Sequence, residues 1–234
     1  MSLAGRKLRP ELLDELPASA PEAVHSRGDL RRLNALMGNA GLLNGMAREL
    51  KLSPPKTLVE LATGDGTLLI QLLERTGWRP ERVVLLDRQP VVSVETLARL
   101  RERAKQVEVV TADVFEWLGA IQTPRCDLIT TNLFLHHFED EQLRRMLSLI
   151  AAKTEAFIAC EPRRSKFALL NSQLLGLIGC NHVTRHDAPV SVKAGFVGEE
   201  LSQLWLKGFT WVKKEQAKGL FSHCFGARKI SSEV

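Results

Sequence analysis

The chain has 234 residues, 44% of them hydrophobic and 25% charged, which fits an ordinary globular protein with one sizeable core. A net charge of +5 is modest and demands neither a nucleic acid nor an acidic surface as partner. No apolar run approaches the roughly 20 residues that cross a bilayer, the N-terminus lacks an apolar signal segment, and the cysteines Cys126, Cys160, Cys180 and Cys224 form no C-x-x-C pair, so reduced thiols in a cytoplasmic protein are expected.

Residues 6–23 are rich in Pro, Glu and Leu and read as a loose arm. Ser26, followed three residues later by Asp29, marks a helix start. Leu30, Leu33 and Met37 then share one face, and Gly38 and Gly41 break the helix. Residues 42–50 read as a second helix, closed off by Pro54 and Pro55. No linker sets this section apart. One domain is expected, with 1–53 as a helical cap and 54–234 as an α/β core.

The core begins with an apolar strand near 57–61, a loop holding Gly64 and Gly66, and a buried helix from Leu68. A second strand spans 83–87, and a helix over 90–105 turns Val94, Leu97 and Leu100 inward. A third strand covers 107–110, followed by Asp113 and a short helix through Trp117. A fourth covers 127–132. The helix over 139–152 carries Leu143, Met146, Leu147 and Ile150 on one stripe. A fifth strand, 156–160, is stopped by Pro162. The apolar segment from Phe167 to Ile178 reads as core packing; its other reading, with Met37, is the wall of a pocket for an apolar acceptor. Strands at 209–212 and 220–225 suit an antiparallel hairpin. Strands alternating with helices imply right-handed crossovers and a parallel sheet.

The first loop discriminates between ligands. A dinucleotide loop reads G-x-G-x-x-G/A, with a diphosphate at the helix N-terminus. Here Leu69 occupies the third small position, and Asp65 inside the loop would repel a diphosphate. Glu60, in the strand before it, adds a second carboxylate. Two acids suit a ligand with cationic groups and no phosphate, such as S-adenosylmethionine with its ammonium and sulfonium. Asp87 ends the second strand, where a carboxylate can accept from both ribose hydroxyls. Asp113 comes after the third strand and can accept from an adenine amino group. Either acid has a plainer reading as a turn or helix cap.

Over residues 57–161 the chain resembles the class I S-adenosylmethionine-dependent methyltransferases. The stretch from Glu60 through Ala62 and Gly64 to Gly66 resembles the family's acidic glycine-rich motif. Ala62 stands at the family's first glycine, so the turn is expected to use a conformation open to alanine. The resemblance implies that Asp87 and Arg88 hold the ribose end, Asp113 and Val114 the adenine, and Asn132 and Leu133 the methionine end. It implies an enzyme whose cofactor is S-adenosyl-L-methionine. The implied fold is α/β and Rossmann-like, doubly wound, with a seven-stranded mostly parallel sheet, an antiparallel C-terminal hairpin and N-terminal capping helices.

The segment at the end of the fourth strand bears on the acceptor. Asn132-Leu133-Phe134-Leu135 lacks the Asn/Asp-Pro-Pro-Tyr/Phe pattern of enzymes acting on base or amide nitrogens. The continuation Leu135-His136-His137-Phe138 is more like enzymes for quinones, phenols and related small molecules. A hydroxylated aromatic or polyketide-like acceptor is therefore expected, with O-transfer favoured and no nucleic acid or membrane. His136, His182 and His186 are candidates for the base, with Asp187 beside His186; each also has a structural reading. Cys180, His182 and His186 lack a fourth soft ligand, so no metal is expected. The rival readings are an RNA substrate held by Arg6, Lys7, Arg9, Arg31 and Arg32, and a non-catalytic module of the same fold.

Overall fold

The computed structural model describes residues 3–206 and 210–230. A short helix α1 (Leu12–Glu15) lies in an N-terminal strap and is followed by α2 (Pro21–Met37) and α3 (Asn39–Glu49). The core then runs β1 (Thr57–Leu61), α4 (Thr67–Thr76), β2 (Arg82–Asp87), α5 (Val94–Arg101), β3 (Gln106–Thr111), α6 (Val114–Gly119) and β4 (Cys126–Asn132). After a 3-10 turn at Leu135–His137 come α7 (Asp140–Lys153), β5 (Thr154–Pro162) and α8 (Lys166–Ser172). A second 3-10 turn, Leu175–Ile178, leads to α9 (His182–Ala194), α10 (Glu200–Leu204), β6 (Trp211–Lys218) and β7 (Ser222–Lys229).

The sheet has seven strands in the order β3-β2-β1-β4-β5-β7-β6. β1 pairs in parallel with both β2 and β4, so the order reverses beside it. That reversal opens the crevice where ligands of doubly wound sheets bind. β7 inserts between β5 and β6 and runs antiparallel to both. Phe209, where the sequence starts the hairpin, lies outside the described residues.

Helices cover both faces, so the central strands are apolar almost throughout. Leu43, Met46, Leu69 and Leu72 pack on one face, and Leu143, Leu147, Ile150 and Trp205 on the other. The α3 helix is thus part of a core layer rather than a cap, and it contacts β5 and β7. Gly226 in β7 makes that approach possible: a Cβ there would lie 2.6 Å from Leu50 Cδ1 and 2.8 Å from Met46 Cγ.

Four local expectations change. The α2 helix starts at Pro21, so Ser26 is interior to it, buried and bonded through its hydroxyl to Thr184 Oγ1 at 2.9 Å. Proline at N1 sets the helical φ and needs no N–H, which outweighs the serine signal downstream. Gly41 sits inside α3, and only Gly38, with φ of 69°, ends a helix. The α5 helix starts at Val94, which is 84% exposed; Ser93 caps it. The segment from Phe167 to Ile178 is not core: Leu170 is 59% exposed and Leu177 83%.

Candidate active site

Strand ends, the first loop and the N-terminal strap enclose a cavity of about 950 Å³. The loop after β1 forms its floor. Ala62, Gly64 and Gly66 adopt φ of 53°, 55° and 75°. Ala62 therefore takes the left-handed conformation that its Cβ disfavours, contrary to the expectation of an alanine-compatible turn. Such strain persists only where the surroundings enforce it. Here Thr63 N–H donates to Leu86 O at 3.1 Å and Gly64 N–H to Asp87 Oδ2 at 2.8 Å. Gly66 lies behind the turn; an added Cβ would meet Thr96 Cγ2 at 3.0 Å.

Asp87 thus ties the loop to β2, and its other oxygen accepts from Gln89 N–H at 2.9 Å. Each carboxylate oxygen keeps acceptor capacity for a ligand hydroxyl. Arg88 borders the cavity and reaches back to Asp14 O at 3.1 Å. Asp113 caps α6 through Oδ1, which accepts from Phe115 N–H at 2.7 Å and Glu116 N–H at 3.2 Å. Both readings of Asp113 hold together, because Asp113 and Val114 also line the cavity.

A smaller cavity of about 140 Å³ adjoins this floor and shares Ala62, Gly64 and Leu133 with the larger one. Apart from Leu30 and Leu68, its remaining lining is polar and includes Glu60, Asp65, Arg31 and Asn132. Glu60 is 3% exposed and accepts from the Thr63 hydroxyl. Burial pushes its pKa up to about 8; the nearby Asp65 and Asp87 charges add to this, and the Thr63 bond opposes it. Asp65 pairs with Arg31 at 2.6 Å. Asn132 bonds to Asn39 at 2.9 Å and to Asn34 at 3.1 Å, and Leu133 has φ of 51°. A buried acid that is costly to ionise, beside two further carboxylates, fits a cationic ligand better than a phosphate.

The third component is an imidazole held between carboxylates. His136 is 2% exposed. Its Nδ1 lies 2.8 Å from Glu161 Oε2 and its Nε2 3.3 Å from Glu11 Oε1. Glu161, wholly buried, also accepts from the N–H groups of Phe134 at 3.0 Å and Leu135 at 2.9 Å. Burial acts to lower the His136 pKa, but the bonds and charges of Glu11 and Glu161 outweigh it and raise the value to about 9. Burial likewise works against ionised Glu11, and His136 overcomes it and holds that carboxyl below its usual range. His137 Nδ1 meets Asp14 Oδ2 at 3.2 Å.

Glu11, His136 and His137 each bring one potential ligand atom within 4.8 Å of the others. Both nitrogens of His136 are already engaged by carboxylates, so the cluster is satisfied by hydrogen bonds. Cys180, His182 and His186 form no such group among the described residues.

Of the sequence candidates, the large cavity gathers Ala62, Gly64, Asp87, Asp113 and His136. It does not gather His182 or His186. Both are exposed on α9, and His186 Nδ1 bonds to Asp187 Oδ1 at 2.8 Å. Asp187 instead anchors the strap, accepting from Leu12 N–H at 2.8 Å and Leu13 N–H at 3.0 Å. Three of the five basic residues read as an RNA contact have acidic partners. Arg6 pairs with Asp140 at 2.8 Å, Arg31 with Asp65, and Arg32 with Asp29.

Glu11 and Glu161 are not among the candidates that the sequence pattern singles out. Glu161 has a usable signal, an acid at the carboxyl end of a strand. Glu11 has none, because the strap is placed by distant contacts.

Residues 58–155 match the family model described as "Methyltransferase domain". No curated protein matches the sequence. Among solved structures, the plantazolicin methyltransferase BpumL in complex with SAH is similar, with a TM-score of 0.62 at 11% identity, covering 91% of this chain and 92% of that one. The plantazolicin methyltransferase BamL, with a triazolic desmethylPZN analog and SAH, gives 0.62 at 13%, covering 91% and 92%. Magnesium protoporphyrin IX methyltransferase (ChlM) from Synechocystis PCC 6803, with bound SAH, gives 0.52 at 14%, covering 83% of each chain. At these identities the likeness is one of fold.

Proposed function

We propose that this chain is a class I S-adenosylmethionine-dependent methyltransferase, a reading supported by its matched domain and its fold, and that it methylates a hydroxyl oxygen of a small aromatic or polyketide-like metabolite. The observation that carries this reading is His136, buried in the cavity wall and fixed at Nδ1 by Glu161 at 2.8 Å.

When bound, S-adenosylmethionine supplies an electrophilic methyl group on a positively charged sulfur. The residues present suit it. Asp87 and Asp113 offer acceptors for ribose and adenine, and Glu60 and Asp65 offer negative charge beside the smaller cavity. Transfer of that methyl group to an acceptor oxygen would require the hydroxyl proton to leave. His136 takes that proton at Nε2. Glu161 holds the ring orientation and stabilises the imidazolium, as a carboxylate does for a catalytic histidine. Glu11, on the strap, is the partner of Nε2, and the acceptor hydroxyl takes its place there.

Incubation with methyl-labelled cofactor and a metabolite extract, read by mass spectrometry, tests this. Label on the oxygen of an aromatic metabolite is expected. Label only on nitrogen or on RNA would refute the acceptor class.

A further inference from the structure

The cavity lining is mixed. Polar groups come from strand ends, the strap and the His136 cluster, with Arg27, Asn171, Ser172 and Ser191 from the helices. An apolar wall is built by Leu33, Leu36 and Met37 of α2 and by Leu174 and Ile178 around the second 3-10 turn. That wall does not stop at the cavity. Of its residues, Leu36 is 74% exposed, Ile178 49% and Leu174 47%. Leu170, Leu177 and Leu220 are also exposed but do not themselves line the cavity; the rim that does is formed by Leu36, Leu174, Ile178 and Phe221. Phe167 stacks on Phe221 with ring centroids 5.6 Å apart, which joins α8 to the same rim. The 3-10 turn at Leu175–Ile178 buries none of its residues, although three of its four are leucine or isoleucine.

A scattered exposed leucine is ordinary, but a contiguous apolar rim marks a binding surface. This rim is continuous with the acceptor cavity, so the acceptor itself is its natural occupant. We infer that the acceptor is an amphiphile: a hydroxylated head at His136 and a linear apolar tail that leaves the cavity over Leu36, Leu174 and Ile178. The inference rests on the hydroxyl-acceptor reading above and narrows it to a substrate class. The tail supplies affinity through burial, and the head supplies the reacting oxygen. The exposed rim is the part of the wall that a short acceptor cannot cover.

The test is calorimetric titration of the SAH-saturated protein with 4-n-alkylphenols, from methyl to octyl. Affinity is expected to rise by up to about four-fold for each methylene buried on the wall. The double variant Leu174→Asp with Ile178→Asp changes two half-exposed positions of this wall and is expected to flatten the increase for the longest chains. Its affinity for SAH, unchanged, shows that it is folded. An affinity independent of chain length, or the same increase in the variant, would overturn the inference. The two readings fail separately. If labelled methyl reaches none of these phenols while affinity still climbs with chain length, the hydroxyl-acceptor reading falls and the tail site stands.

Discussion

Glu161 Oε2 lies 2.8 Å from His136 Nδ1, and the same carboxylate accepts the backbone N–H groups of Phe134 and Leu135. One side chain therefore fixes both the ring and the turn that carries it. His136→Ala is expected to lower kcat by about a hundred- to ten-thousand-fold, the usual worth of a positioned base. With its pKa raised to about 9, His136 is an imidazolium at neutral pH. kcat/KM, which reports the free enzyme with Glu11 still at Nε2, should rise with pH through about 9, where the base form becomes populated. Glu161→Gln removes a charge that favours the imidazolium, so the rising limb should move to lower pH. A limb that stays in place would separate Glu161 from the titration. The sign for stability is opposite. The pairing contributes fully below the ordinary histidine value of about 6.5 and is lost as pH rises through about 9.

Glu60 should couple cofactor binding to a proton. Its pKa of about 8 leaves it largely neutral at pH 7, whereas a bound cation favours the carboxylate. Binding at pH 7 is then expected to release about one proton and to tighten as pH rises toward 8. Calorimetry in phosphate and in Tris reads the release as a difference in heat. Glu60→Gln should abolish that difference. Equal heats for the native protein in both buffers would exclude the linkage.

The strap depends on Arg6. Its guanidinium donates to Ala194 O at 2.9 Å and Phe138 O at 2.8 Å, pairs with Asp140, and lies 4.4 Å from the centre of the Phe196 ring. Arg6→Ala leaves two part-buried carbonyls without that donor, at a cost of roughly 1–3 kcal/mol each if no water replaces it. Limited proteolysis should cut the variant within residues 6–20 well before the native chain. An unchanged digestion pattern would show that the other contacts of the strap, at Asp187, His136 and His137, hold it without Arg6.

Gly226→Ala tests the packing of α3 on the sheet. The added methyl would overlap Leu50 and Met46, and overpacking of this kind costs about 1–3 kcal/mol. Combined with Leu50→Ala, the loss should be smaller than the sum of the single losses, since the truncation makes room. Denaturant unfolding measures all three variants.

The parts of the fold set by local pattern are legible in the sequence. The buried strands around Val59, Val84 and Ile129 carry continuous apolar runs, and the stripe of α7 has helical spacing. The acids Glu60, Asp87 and Asp113 can be placed because strand ends can be read from the chain. Where the expectation fails, contacts between distant residues decide. Ser26 looks like a cap because nothing local reveals that Thr184 lies against it. Ala62 in a left-handed conformation results from hydrogen bonds between the loop and β2. His136, His182 and His186 look alike as candidates, and the partners that separate them, Glu11 and Glu161, are 125 and 25 residues from His136. The leucines of the rim read as core because hydrophobicity alone does not say whether protein or ligand covers them.

The carboxylate-lined crevice is tested most directly by calorimetric titration of the native protein and Asp87→Ala with S-adenosylmethionine and with NAD. Binding of S-adenosylmethionine to the native protein, weakened at least ten-fold in the variant, and no binding of NAD to either, is the expected result. Tighter binding of NAD, or undiminished binding of S-adenosylmethionine without Asp87, would contradict it.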